Sequence, residues 1–375
     1  MNRIVAFALG FMVSCAPVRQ DPPPSHAVAL SSVMPPMRVF NTSYIAPAAR
    51  SNMEIAQDFL DLSFRMESGR AVPRLTQFEG PITVRATGRT NPTMIRDLSD
   101  LLVHMRNETG IDITLVPANQ PTAITVQAVP RATMQAAVPR AACFVVPRLT
   151  SWDDFKIARH TPQVDWTTLT RRNRAAIFIP SDVAPQEIRD CLHEELAQAL
   201  GPLNDLYRLP DSVFNDDNIH TVLTSFDMLV LRVFYAPELR NGMSRGEAAI
   251  RLPAILARLN PAGQRVPGQP LNDTSRDWIE AIETALASGA APSRRRRAAQ
   301  QAIALGRAFG WTGAREGFAH YAFGRLQVGN NPAAALAAFN AADAAYGASN
   351  STQIHAAHIA VQQSAFALAA GDAET

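Results

Sequence analysis

Residues 182–205 constrain the fold of this chain more than any other stretch: Asp-Val-Ala-Pro-Gln-Glu-Ile-Arg-Asp-Cys-Leu-His-Glu-Glu-Leu-Ala-Gln-Ala-Leu-Gly-Pro-Leu-Asn-Asp. Pro185 suits a first helical position, and Glu187 complements the positive end of a helix. Gly201 followed by Pro202 stops it. At about 100° per residue, Ile188, Cys191, Leu192, Leu196 and Ala199 share one apolar arc. Glu195 falls inside that arc. A carboxylate on a buried face must be paired, hydrogen-bonded or protonated. Glu194 and Gln198 flank it on one side, and His193 lies on the opposite edge.

Around this helix the chain reads as a mixed α+β domain over residues 52–262. Helical patterns run from Ile55 to Met66 and from Thr93 to Gly110. Strand patterns run over Pro81–Ala86, Ile111–Val116, Cys143–Val146 and Ala175–Ile179. Residues 260–270 then read as a linker, with Pro261, Pro267 and Pro270. Beyond it, residues 275–375 are alanine-rich and helical. Ala335, Phe339 and Ala342 keep the spacing of the second helix of a tetratricopeptide hairpin, and Gly329-Asn330 recurs as Gly371-Asp372. The expected C-terminal domain is therefore all-α and tetratricopeptide-like, with generic helical packing as the alternative. Arg294 to Arg297 form a basic run that reads as a solvated helix face, or as a contact for acidic lipid or a partner.

The N-terminus carries Arg3 and a short apolar stretch, Ile4 to Val13, too short to span a bilayer. Met12-Val13-Ser14-Cys15 resembles a bacterial lipobox. Residues 1–15 are expected to be a lipoprotein signal peptide, with Cys15 as the lipidated residue. Residues 16–51, rich in proline, read as a tether. The expected location is the bacterial cell envelope, anchored through lipid and facing the periplasm, or else secreted. Cys143 and Cys191 then remain as an even pair in an oxidising compartment. A bridge between them is expected; two buried free thiols are the alternative.

Composition excludes several classes. Hydrophobic residues are 47% and charged residues 18%, so the chain is not disordered. The net charge of +2 gives no global excess for a nucleic-acid partner. No P-loop and no GxSxG elbow is present.

The helix also has a family resemblance. In zincin peptidases, HExxH places two zinc ligands one turn apart with a catalytic glutamate between them. The metzincin extension continues to a turn glycine and a third ligand. Here Glu194, Gln198 and Asn204 stand at the ligand positions, Glu195 at the catalytic one and Gly201 at the turn. Ser212-Val213-Phe214 stands where a Met-turn would fall, with phenylalanine for methionine. Leu223 to Tyr235 resembles the last helix of matrixin-like metzincins. More closely, Cys191 to Gly201, Leu203 to Asp205, Ser212 to Asp216 and Leu223 to Met243 resemble bacterial lipoproteins of domain-of-unknown-function family 2927.

The resemblance implies a zincin-like, metzincin-type domain with a mixed sheet and an active-site-type helix. If the site hydrolyses anything, Glu195 is its general base. Glu194, Gln198, Asn204 and Asp205 are then the metal or substrate contacts. An oxygen-only set disfavours Zn²⁺ and would suit a hard divalent cation, the one candidate cofactor. The competing readings are a domain without peptidase chemistry that binds a protein or peptide, and a purely structural polar network. Asp216, Asp217 and Asn218 read as a turn or helix cap before a cation site. Asp227 reads as a helix cap. His355 and His358 read as helix surface before a metal pair, and nothing in the sequence fixes His220.

Overall fold

The computed structural model describes residues 50–370, apart from 140, 216–218, 270 and 288. The signal peptide with Cys15, the tether through residue 49, Asp216 to Asn218 and Gly371-Asp372 lie outside the described residues. The described chain is α+β, with one five-stranded mixed sheet and twelve α-helices.

The strands are β1 (Ile82–Gly88), β2 (Ile113–Leu115), β3 (Ile124–Val129), β4 (Phe144–Pro147) and β5 (Ala175–Pro180). Their order is β2-β1-β3-β5-β4. β1, β2, β3 and β5 run parallel, and β4 lies antiparallel at one edge. β5 reads Ala-Ala-Ile-Phe-Ile-Pro and is buried throughout, as a strand covered on both faces must be. Its side chains alternate between two cores. Ala175, Ile177 and Ile179 join the main core, while Ala176 and Phe178 join a second cluster with Trp152 and Phe155.

Helices cover both faces. α1 (Asn52–Ser63), α2 (Pro92–Thr109), α5 (Pro185–Leu200), α6 (Ser225–Phe234) and α7 (Arg245–Leu259) supply the main core. The short α3 (Arg131–Ala137) and α4 (Trp152–Ala158) cover the second cluster. α1 starts three residues before the apolar pattern does. Ser51 caps it, and Glu54 returns the bond to the Ser51 amide. α2 ends at Gly110, whose φ of 75° is the left-handed conformation of a helix C-cap.

Five helices follow: α8 (Arg276–Leu286), α9 (Pro292–Ala308), α10 (Ala314–Gln327), α11 (Pro332–Tyr346) and α12 (Gln353–Ala369). Each packs on its neighbour in the chain. Ala335, Phe339 and Ala342 are fully buried on one face of α11. A Cβ at Gly324 would stand 2.7 Å from the Phe339 ring, so glycine lets α10 and α11 approach closely. The proline-rich stretch before α8 is strapped to α1 and does not hang free. Gln57 exchanges hydrogen bonds with Leu271 at 3.1 and 3.3 Å, and Asn260 donates to Asn52 at 2.9 Å. Tyr207 and Trp278 meet edge to face, 5.0 Å apart, and join the helices to the α+β part. No described helix is long and apolar enough to cross a membrane.

Candidate functional site

α5 spans Pro185–Leu200, with proline in its first turn and Gly201 just beyond its last. The end of this helix is held by Arg172, a residue the sequence reading passed over. Its guanidinium is fully buried and, among the described residues, pairs with no carboxylate. It donates instead to the carbonyls of Gln198 (2.7 Å), Ala199 (2.6 Å) and Gly201, and its Nε donates to Thr76 (3.0 Å). These include last-turn carbonyls that have no partner within the helix. The positive charge also meets the negative end of the helix dipole. Trp166 stacks on the guanidinium at 4.7 Å. Burial lowers the Arg172 pKa to about 10, which leaves it charged at neutral pH. The Tyr235 hydroxyl donates to Leu200 at 2.9 Å. Gly201 is required by space: a Cβ there would come within 2.8 Å of the Phe234 ring.

Glu195 is 4% exposed, and its Oε2 is buried with no hydrogen-bond partner. Burial pushes its pKa well above the ordinary 4.5, and the charges of Glu194 and Glu67 push it further. Both effects favour the protonated form of Glu195. Glu67 was not foreseen. It sits in the tight turn after α1, where Met66 and Gly69 close on each other through a 2.8 Å backbone bond. Its carboxyl interacts with Asp205 and Gln198. The residue is exposed at the surface, yet desolvation of its carboxyl raises its pKa; those two contacts oppose the rise, and Glu283 of α8 adds to it. Glu67, Glu195, Gln198 and Asp205 thus form one acidic group at the end of α5, with Glu194 beside it. Nothing in the local sequence marks Glu67. It arrives because the chain after α5 docks on the end of α1, through Leu203 N–H to the Leu62 carbonyl at 2.9 Å.

Asn204 belongs to that docking. It is buried, and its amide donates to the Asp61 carbonyl at 3.0 Å. Its nitrogen acts as an anchor for the chain. The Ser212-Val213-Phe214 turn and Asp227 do come together. The Ser212 hydroxyl donates to Asp227, and Val213 N–H follows at 3.2 Å. Asp227 also closes a capping box with Thr224 at the start of α6. Burial raises its pKa to about 6 against the pull of these donors. Phe214 is fully buried in the main core.

His193 takes no part in the acidic group. Its Nδ1 accepts the Leu223 amide at 3.1 Å, which requires an unprotonated Nδ1. Burial lowers its pKa to about 4, with His104 and Arg189 adding to the shift. His355 departs from its expected place on a helix surface. It is fully buried against Tyr346, with ring centroids 4.9 Å apart, whereas His358 is exposed. His220 stands beside His355 at 6.5 Å between rings. Cys143 and Cys191 form a disulfide that ties the residue before β4 to α5. Among the described residues, no three His, Cys, Asp or Glu side chains are placed to hold a metal ion.

A buried neutral acid can donate a proton or a hydrogen bond. It cannot act as a base until it ionises. The α5 site therefore offers a buried carboxyl biased toward its protonated form, neighbouring acids and a rigidly held helix end. Searches of the curated proteins and of the solved structures each return no match. The model of the family described as "Protein of unknown function (DUF2927)" matches residues 52–254, which include every residue of the α5 site. The chain belongs to that family.

Proposed function

We propose that the protein is a lipid-anchored protein of the bacterial envelope, whose zincin-like domain binds a peptide or protein without hydrolysing it. The carrying observation is the state of Glu195. It is buried among other carboxyls that raise its pKa, while the helix's own histidine is turned to the Leu223 amide. The bond from Ser212 to Asp227 supports the zincin-like reading, because it joins the two segments compared with a Met-turn and a final helix. The Cys15 motif supports the anchor, and the stacked helices α8–α12 support a tetratricopeptide-like second surface.

The edge strand β4 suits strand addition. Arg148 N–H bonds to Arg174, so by the antiparallel alternation the amide and carbonyl of Val145 face away from β5. An extended peptide could pair there while its side chains reach α5, to which the disulfide ties this edge. A Val145→Pro change removes the outward donor and leaves the β5 bonds in place. It is expected to abolish peptide binding with little change in melting temperature.

The orphaned Glu195 oxygen also supports a second reading, a membrane-anchored metallopeptidase-like hydrolase with Glu195 as general base and a non-standard metal site. Metal content of residues 16–375, purified without chelator or histidine tag, separates the two. The binding reading expects no bound metal in wild type or in Glu194→Ala/Gln198→Ala. About one equivalent in wild type, lost in the variant, would overturn it.

A further inference from the structure

α12 is apolar on two opposite sides. On one, His355 and Ile359 are buried against α11, beside Tyr346 and Phe339. On the other, Ile354, Val361 and Leu368 are 44%, 66% and 70% exposed. Ala357, His358, Ser364 and Ala365 lie among them and are exposed too. At about 100° per residue all of these exposed positions share an arc of about 120°, and they run ~21 Å along the helix. A helix that is apolar all round is ordinarily buried all round. The outer helix of a hairpin stack ordinarily turns a polar face to water. α12, the outermost described helix of its stack, meets neither expectation.

Charge and residue order together select what covers this face. α12 contains no Asp, Glu, Lys or Arg. A helix that lies on a membrane surface flanks its apolar stripe with Lys and Arg, and a charged partner finds nothing here to pair with. The order of the residues points to a second copy. Outward from Val361 the stripe matches in both directions: a polar residue three away (His358, Ser364), an alanine four away (Ala357, Ala365) and a branched aliphatic residue seven away (Ile354, Leu368). A two-fold axis through Val361 therefore sets Val361 on Val361, Ile354 on Leu368 and alanine on alanine. That is what a self-complementary contact demands, in which residue i meets j and j meets i. The seven-residue spacing keeps the apolar seam turned to a facing helix, and antiparallel packing brings opposite ends of the two helix dipoles together. The Ser364 hydroxyl donates to the Ala360 carbonyl at 2.8 Å, so its oxygen is left to accept from the partner's His358.

We propose that α12 pairs antiparallel with α12 of a second copy of this chain, about a two-fold axis at Val361. The pairing takes both stripes out of water, on the order of 1,000 Å² in all, which is the size of a weak specific interface. It is independent of the α5 reading.

Sedimentation velocity on residues 16–375 tests it. Wild type is expected to pass from monomer to dimer at tens of micromolar and to form nothing larger, because a two-fold contact closes on itself. Val361→Glu sets two like charges on the axis and should weaken the dimer about ten-fold or more. The position is exposed, so the melting temperature should hold. Ile354→Glu and Leu368→Lys should each weaken pairing alone. Their equimolar mixture should recover it, because the two changed positions meet across the axis with opposite charges. Ile354→Glu mixed with Leu368→Glu should not recover. A wild type that stays monomeric at about 1 mM would overturn the proposal. So would species larger than a dimer, a dimer that Val361→Glu leaves intact, or equal behaviour of the two mixtures. None of these results bears on the metal content or β4 pairing that test the α5 reading.

Discussion

Two groups of carboxyls lie close together in this molecule with opposite surroundings. At the end of α1, Asp58 and Asp61 are buried, but Arg208 reaches both, at 2.8 and 2.7 Å, and Arg245 adds a bond to Asp61 at 2.9 Å. At the end of α5, Glu195 is equally buried and meets other acids, with one oxygen left unpartnered. The chain has 35 basic residues, so the second arrangement is not forced by a shortage of cations. Arg172 even lies at the same helix end, committed to carbonyls. One acid group holds α1, α7 and the 205–211 loop in place. In the other, burial and like charges together raise the Glu195 pKa although compensation was available, which marks it as a candidate site and not a clamp.

The comparison breaks most visibly at Arg208. Arg208→Met leaves Asp58 and Asp61 without their main partner. Removing one side of a buried pair costs ~3–5 kcal/mol, so urea unfolding should show a loss of that order. A loss under 1 kcal/mol would mean that the network is not a clamp.

The next effect is one of pH. Asp227 has a folded pKa of about 6 against an ordinary 3.8. Its folded form holds the proton more tightly, so its contribution is fully present below pH 3.8 and is lost as pH rises to about 6. At ~1.4 kcal/mol per unit, that is about 3 kcal/mol across the window. Glu195 acts in the same sense from pH 4.5 upward. Over the same window His193, held at about 4 against 6.5, adds stability as pH rises, so the test is a difference: from pH 4 to pH 7 the wild type should lose stability relative to Asp227→Asn. No such relative loss would mean that Asp227 is ionised in the fold.

The smallest expected change is Glu195→Gln. An amide replaces a neutral acid of the same shape, so stability at pH 5 should move by less than about 1 kcal/mol. Relative to this variant, the wild type should lose stability as pH rises above 4.5. A large loss at pH 5 would assign Glu195 to the clamp class.

Much of this was legible in sequence, and the reasons are local. α5 matches its expected bounds because Pro185 and Gly201-Pro202 punctuate it. Glu195 was found because it interrupts an apolar arc. Asp227 was expected to cap its helix, and it does so as the N3 partner of Thr224 in a capping box. Three features were not legible. β3, the central strand, is only six residues long and lies between Pro121 and Pro130, so its pattern was lost among loop signals. Arg172 is one arginine among many, and only folding brings it to the carbonyls of α5. Glu67 lies more than a hundred residues from Glu195 in the chain. No spacing rule connects them, because the docking of Leu203 on Leu62 makes the contact.

The disulfide has a mechanical consequence. Cys143 and Cys191 stand 48 positions apart and enclose β4, α4, β5 and most of the first turns of α5 in one covalent hoop. A protease that cut within the hoop, for instance beside the outward-facing Ile157 of α4, would open the ring without releasing either piece. The edge strand and the helix bearing Glu195 would still be fastened to each other, so a nicked molecule could keep its site.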